Sequence, residues 1–324
     1  MNPGAPQRIL ITGAFGYVGA RLARHLADDP SNTVVLGSRA QRAAPSWLPH
    51  ATVLRTAFDD IADLRAACAG VDAVVHLAGA NARACTEDLA LAFDVNAVST
   101  ARLVTAARQA GVRRFIYLST AHVYGSPLGG VISEDTCARG IHPYAASHRA
   151  GEDAVLHAGA GGKIEAVAVR LSNSFGPPMD AAADCWMLLV NDLCRQAVKT
   201  RRLVLNTPGL QRRDFVTLTD TCRAIAHLLR LPRFGDGLFN LGGQWAPTVR
   251  EMAARIAARC PVVLGHEVTL EVPDAAPGEA SGELDFRVDR LLATDFKLGA
   301  HIEAELDATL AFCAAHERAQ ETPG

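Results

Sequence analysis

Short runs of β-branched and aliphatic residues alternate with Ala-rich stretches of helical period through roughly the first 120 residues. Residues 9–12 read as a strand, 18–27 as a helix with apolar positions three and four apart, and 33–36 as a second strand. The pattern then gives a helix at 61–69, an uninterrupted apolar strand at 73–77, a helix at 91–109 and a strand at 115–118. Parallel strands need crossovers of a dozen or more residues, so this alternation predicts a doubly wound parallel sheet with helices on both faces. A helix at 144–158 and a strand at 166–171 continue it. Beyond Gly176-Pro177-Pro178 the alternation breaks into a helix at 185–198, a short strand at 203–205 and irregular segments. Residues 215–231 and 238–240 are expected to return to the sheet. A Pro- and Gly-containing loop at 272–282 and a helix at 302–317 complete a smaller lobe. The division is therefore residues 1–175 with 213–242 returning, against 176–212 and 243–324.

Composition narrows the function. The 324 residues are 49% apolar and 20% charged, enough to bury a sizeable core. A net charge of −2 offers no basic surface for nucleic acid. No stretch approaches about 18 uninterrupted apolar residues, and residues 1–8 lack a charged-then-apolar leader, so neither a membrane span nor export is expected. Eight cysteines without a Cys-x-x-Cys spacing read as reduced thiols of a cytoplasmic protein. Cysteines and histidines show no metal-ligand spacing, and no metal is expected.

The first candidate chemistry is Gly13-Ala-Phe15-Gly16-Tyr17-Val18-Gly19, lying between the first strand and the first helix. Three glycines there let backbone N–H groups at a helix start approach a pyrophosphate, and the helix dipole adds to the attraction. This is a dinucleotide-binding, Rossmann-type arrangement. Strand two ends Gly37-Ser38-Arg39, with no acid before Asp59. An acid at that point would bind ribose hydroxyls and repel a 2′-phosphate, whereas Ser38 and Arg39 suit the phosphate. The expected cofactor is therefore NADP, with NAD the less favoured choice.

A second block carries the reaction. Ser119-Thr120-Ala-His122-Val-Tyr124-Gly125 follows the strand at 115–118, and Tyr144-Ala-Ala-Ser-His148 follows it. Together with the glycine loop, the run Val74-Val75-His76-Leu77-Ala78-Gly79, Asn96, Arg170 to Pro177, Gln211 to Phe215 and Phe239 to Gly242, the chain resembles the extended short-chain dehydrogenase/reductases. That family contains nucleotide-sugar epimerases, dehydratases and ketoreductases. The resemblance implies Tyr144 as general acid/base and Thr120 as the hydroxyl orienting the same substrate oxygen. It implies Asn96 as a structural residue, Asn173 and Arg213 facing a substrate nucleotide, and a homodimer paired through helices near 91–109 and 144–158. A nucleotide sugar is the implied substrate.

Three departures bear on the chemistry. The family pattern is Tyr-x-x-x-Lys, the lysine binding the nicotinamide ribose and lowering the tyrosine pKa; here His148 stands in that place. A 4,6-dehydratase carries an Asp-Glu pair after the threonine, where this chain has Ala121 and His122. Where many relatives carry an Arg-Pro-Gly-Asp-like segment gripping a diphosphate, this chain reads Ala276-Pro277-Gly278-Glu279, with Arg287 a candidate substitute. His122 and His142 flank the catalytic stretch as further proton donors or as polar lining. Two redox uses remain open: C4-ketoreduction of a 4-keto-6-deoxy nucleotide sugar with NADPH, or redox-neutral epimerisation on a tightly held cofactor. A cofactor-binding protein with a weakened active site is the alternative of another class.

Overall fold

The structure, a computed structural model, describes residues 7–278 and 280–321, with side chains through 318. Seven parallel strands form one sheet: β1 (Gln7–Thr12), β2 (Asn32–Ser38), β3 (Thr52–Arg55), β4 (Ala73–His76), β5 (Arg114–Thr120), β6 (Glu165–Leu171) and β7 (Leu238–Leu241). Their order is β7-β6-β5-β4-β1-β2-β3. The chain builds outward from β1 in one direction and then from β4 in the other. A crevice forms beyond the carboxyl ends of β1 and β4, where an open α/β sheet binds its ligand.

The strands read as continuous apolar runs because helices cover both of their faces. Alternate residues separate cleanly. Ile9, Ile11, Leu36, Val75, Ile116 and Val167 pack with Leu22 and Leu26 of the helix Tyr17–Ala27 and with Ile225 and Leu228 of the helix Leu218–Leu228. Leu10, Val35, Val74, Phe115 and Tyr117 face Leu64, Leu103, Val104 and Val155 on the opposite side. Each such side chain, fully withdrawn from water, stabilises the sheet by about 1.5–3 kcal/mol.

The segment Leu89–Gln109 is long and apolar enough to cross a membrane by composition alone. Here it packs against the helices Ile61–Cys68 and Pro143–Ala160. Its one irregularity is a π-helical turn, Asp94–Val98, which carries Asn96 inward to full burial.

The smaller lobe has its own core, in which Phe175, Leu193, Met252 and Leu306 bring together the helices Leu189–Thr200, Val249–Leu264 and Ile302–Glu321. Three short parallel pairs stand outside the main sheet: Asn173–Phe175 with Phe215–Thr217, Arg202–Val204 with Thr269–Glu271, and Gly130–Ile132 with Leu284–Phe286. Within 213–242, only Leu238–Leu241 joins the seven-stranded sheet. The helix expected at 185–198 starts instead at Leu189, because Cys185–Leu188 is a turn closed by Leu188 N–H on the Cys185 carbonyl at 3.1 Å. The helix Val249–Leu264 was not anticipated. Its start is a capping box, with Glu251 N–H donating to Thr248 Oγ1 (3.0 Å) and Thr248 N–H to Glu251 Oε2 (2.7 Å).

Candidate cofactor and active site

The glycine loop sits at the crevice. Gly13 has φ +70°, and its carbonyl accepts the Gly16 N–H at 2.9 Å. A Cβ on Gly13 would stand 2.7 Å from the Leu77 carbonyl carbon and the Ala78 nitrogen, so only glycine lets the loop lie against the segment leaving β4. A Cβ on Gly19 would stand 2.1 Å from the Gly13 oxygen, so the same restriction seats the helix Tyr17–Ala27 on the loop. No side chain caps that helix at Gly16, leaving its first-turn N–H groups and positive dipole end open to an anion.

Beyond the loop opens a cleft of about 850 Å³ that includes Gly13, Phe15, Gly16, Ser38, Arg39 and Asp59, with Leu77, Ala78 and Gly79 along another wall. Arg42, Arg55 and Arg102 also line it. The Arg42 guanidinium lies 4.3 Å over the Phe15 ring, and Arg55 pairs with Asp63. Arg39 is exposed, and the Ser38 hydroxyl donates to the Ala40 carbonyl at 2.7 Å. A glycine cradle, an open helix start and a cleft of this size together fit a dinucleotide. Tyr17 and Val18 do not turn their side chains into it. Both pack with Ala183, Cys185 and Leu218, and the Tyr17 hydroxyl donates to the Gly176 carbonyl at 2.8 Å. Only their backbone can serve a cofactor.

The reacting groups gather where β5 ends and the helix Pro143–Ala160 begins. Tyr144 and His148, one helical turn apart, meet edge to face with ring centroids 4.6 Å apart. Burial raises the Tyr144 phenol pKa, and the neighbouring Thr120 hydroxyl pulls it back in part. His148 is buried, and desolvation, followed by the field of His122, pushes its pKa down to about 3. The imidazole is therefore neutral, and no cation stands in the place of the family's lysine. His122 lies 6.2 Å from Tyr144 between ring centroids. The residue is exposed, yet partial desolvation of its ring and then the field of Arg213 lower its pKa.

Arg213 is half-buried, and desolvation lowers its pKa. Among the described residues no carboxylate lies within ion-pair distance of it. A cation without a carboxylate partner among the described residues, close enough to His122 for its field to act there, is suited to an anionic group of a substrate. Asn173 donates to the Asp214 carbonyl at 2.9 Å. Arg287 is exposed and paired with Asp285 at 2.9 Å, and Glu279 lies outside the described residues. His142 caps the catalytic helix: its Nδ1 accepts the Tyr144 N–H at 3.2 Å and its Nε2 meets Thr86 Oγ1 at 3.0 Å. Both ring nitrogens are thus engaged in holding the helix start.

Asn96 joins the two halves of the site. Its Oδ1 accepts the Ala80 N–H at 2.7 Å, and its Nδ2 donates to Ser147 Oγ at 3.0 Å, tying the cleft wall to the catalytic helix. Sequence reasoning missed Ser147 and Tyr117. Tyr117 occupies a core position of β5, yet its hydroxyl lies 2.7 Å from His148 Nδ1. The one signal was that period two places Tyr117 on the face of β5 that the catalytic helix covers.

Comparison with known proteins gives the family and the fold. Residues 9–242 match the profile of the NAD dependent epimerase/dehydratase family. The chain is 31% identical over 257 residues to dTDP-6-deoxy-L-talose 4-dehydrogenase (NAD(P)(+)) of Kitasatospora kifunensis, covering 76% of this chain and 77% of that protein. It is 30% identical to UDP-glucose 4-epimerase of Azospirillum brasilense, over 85% and 82% of the two chains. UDP-N-acetylglucosamine 4-epimerase from Methanobrevibacter ruminantium, solved with UDP-N-acetylmuramic acid, superposes with a TM-score of 0.80 at 21% identity, over 96% of this chain and 99% of that one.

Proposed function

We propose, for a chain that belongs to the NAD dependent epimerase/dehydratase family, that it reduces the C4 carbonyl of a 4-keto-6-deoxy nucleotide sugar with NADPH. The observation that carries this reading is the state of Tyr144. Half-buried beside a neutral imidazole, it stays protonated at neutral pH and is ready to give its proton to the oxygen of a carbonyl being reduced. When bound, the nicotinamide supplies the hydride. Thr120 orients the same oxygen, and Arg213 holds the diphosphate. An alcohol oxidation at this site has to begin by removing that proton, which a cation at residue 148 would have eased.

NADPH is favoured over NADH because the cleft presents Ser38, Arg39 and Arg42 and carries no acid at the end of β2. The absence of carboxyl groups at Ala121 and His122 speaks against water elimination. The eight cysteines are unpaired and seven are buried, which supports a reducing, cytoplasmic setting. Leu89, Leu91 and Phe93 expose apolar side chains along one helical segment and would pair with a second copy of the chain.

The test is turnover with each substrate class. Loss of reduced-nicotinamide absorbance, one NADPH per 4-keto-6-deoxy nucleoside-diphosphate sugar, is the expected result. Interconversion of 4-hydroxy sugars with no net change in nicotinamide would establish the redox-neutral epimerase instead, the reading that the 30% identical relative favours.

A further inference from the structure

We infer that Tyr117 is a positioning residue that fixes His148 as the tautomer protonated on Nε2, so that a neutral histidine donates a hydrogen bond to the cofactor ribose where relatives use a charged lysine. The inference deepens the proposed function and rests on its assignment of the cleft to NADP.

The proton positions follow from a chain of contacts running through the sheet. Thr100 Oγ1 donates to the Asn96 carbonyl at 2.7 Å and so receives its 3.0 Å bond from His76 Nε2–H. His76 is fully buried and neutral, its pKa pushed to about 3 by desolvation. It has one proton only, so its Nδ1 accepts from the Thr12 hydroxyl at 2.6 Å. The Asn96 carbonyl is thus already served by Thr100. The Tyr117 hydroxyl, also with one proton, stands 3.3 Å from that carbonyl and 2.7 Å from His148 Nδ1. At 3.3 Å the carbonyl lies beyond the usual O–H···O range and already accepts from Thr100, so we assign the Tyr117 proton to the 2.7 Å contact with His148 Nδ1. Donation from Tyr117 makes Nδ1 an acceptor and leaves the single imidazole proton on Nε2.

The surroundings are shaped for this contact. Tyr117 is stacked between His76 and His148, with centroids 5.5 and 5.8 Å away and ring planes 25° and 23° apart. Its hydroxyl fits beneath the catalytic helix only because residue 151 is glycine. A Cβ there would stand 2.8 Å from the Tyr117 oxygen and 2.5 Å from the Asn96 carbonyl. On the other side of the imidazole, Nε2 is 3.8 Å from the place of a Cβ on Gly79, a residue that lines the cleft. The Nε2–H is therefore the group His148 offers toward the cleft. A lysine in this position needs no such partner, since its ammonium is a donor in every orientation.

The experiment is nitrogen NMR of the protein labelled at histidine with ¹⁵N, the His148 signals assigned by their loss in His148→Gln. In the cofactor-free wild type, Nε2 is expected to carry the proton and Nδ1 to show the shift of an acceptor. In Tyr117→Phe the His148 signals should move to a mixture of tautomers, and the NADPH Kd should rise about tenfold, the size of one lost hydrogen bond. In the His148→Gln background, Tyr117→Phe should change the Kd by less than about twofold, because its effect travels through the imidazole. A wild-type proton on Nδ1 overturns the inference even if Tyr117→Phe fails to fold. So do unchanged His148 signals in the variant, or equal losses of affinity in both backgrounds. A wild type that binds neither NADPH nor NADH fails differently: it removes the cofactor assignment and the ribose contact with it, whatever tautomer the spectra report.

Discussion

The protonation state of the reacting tyrosine can be measured without knowing the substrate. The chain has four tyrosines, Tyr17, Tyr117, Tyr124 and Tyr144, and burial raises the pKa of each above the ordinary phenol value. An ultraviolet titration of the cofactor-free protein should therefore show no phenolate absorbance below about pH 10. The informative perturbation is His148→Lys. With the Tyr144 and His148 rings 4.6 Å apart, an ammonium at residue 148 stands on the order of 5 Å from the Tyr144 phenol. At an effective dielectric of about 20, that charge favours the phenolate by about 3 kcal/mol, a downward shift of about two pH units. One phenolate should then appear on the alkaline side of neutrality in His148→Lys and disappear in His148→Lys/Tyr144→Phe. The same substitution should move the rising limb of the pH–rate profile for alcohol oxidation toward neutrality by a similar amount. A wild-type phenolate titrating around neutral pH and lost in Tyr144→Phe would refute the reasoning, since it would mean that the neutral histidine leaves Tyr144 as acidic as a lysine would.

Four other expectations follow from particular contacts. Arg39→Ala should raise the NADPH Kd about tenfold or more, the size of a charge-assisted bond to phosphate, and leave NADH binding within about twofold; equal losses for both would place Arg39 outside the 2′-phosphate site. Gly13→Ala combines a left-handed φ with contacts of 2.7 Å to the Leu77–Ala78 backbone, so calorimetry should show it destabilised by roughly 2–3 kcal/mol and isothermal titration should show no cofactor binding. Acid stability carries opposing signs. His76 and His148, depressed to about 3, contribute stability that is complete above their unfolded value of about 6.5 and is lost as pH falls, by up to about 1.4 kcal/mol per pH unit each; Asp214, raised to about 6 by burial, contributes stability that is present at low pH and lost as pH rises through 6. Between about pH 6 and 5 urea midpoints of His76→Gln should fall less steeply than those of the wild type, by one histidine's share of the slope; matching slopes in variant and wild type would count against the assignment. Sedimentation should find a dimer in the wild type and a monomer in Leu91→Asp/Phe93→Asp; a monomeric wild type ends the pairing proposal.

How far the sequence could be read depended on whether a feature was local. Strands β1, β4 and β5 announce themselves because both their faces are covered, so Ile9 to Ile11 and Val74-Val75 appear as unbroken apolar runs. β3 gives no such signal: four residues long, at the sheet edge and only half-buried, its pattern does not differ from a loop. The helix Val249–Leu264 was legible through Thr248-x-x-Glu251, a purely local capping signal, and was missed because its Ala-rich turns and Pro261 weaken the apolar periodicity. Gly13, Gly16 and Gly19 could be placed from their spacing, since a strand-to-helix turn fixes their neighbours, whereas Thr120, Tyr144 and Asn96 were assigned by resemblance to the family. Tyr17 and Val18 were placed in the right turn, but which way a side chain leaves that turn is decided by Ala183 and Leu218, more than 150 residues on.

The site's chemistry depends most on what no motif can state. His148 is visible in the sequence as a residue standing where relatives carry lysine, and that substitution alone is compatible with a cationic site, a neutral one or a dead one. Its charge is settled by burial, and its tautomer by the hydroxyl of Tyr117, 31 residues earlier on a different element. That hydroxyl reaches it only because Gly151 leaves room beneath the helix. Replacing lysine by histidine thus changes more than reach. It transfers the ribose-binding proton from an ammonium, which needs no partner, to an imidazole that must be oriented by its neighbours. It also leaves Tyr144 without a positive charge and therefore better suited to giving a proton than to taking one. A site can keep the family's tyrosine and threonine and still change the pH at which each direction runs best, because the uncharged residue beside them does not help the phenol lose its proton.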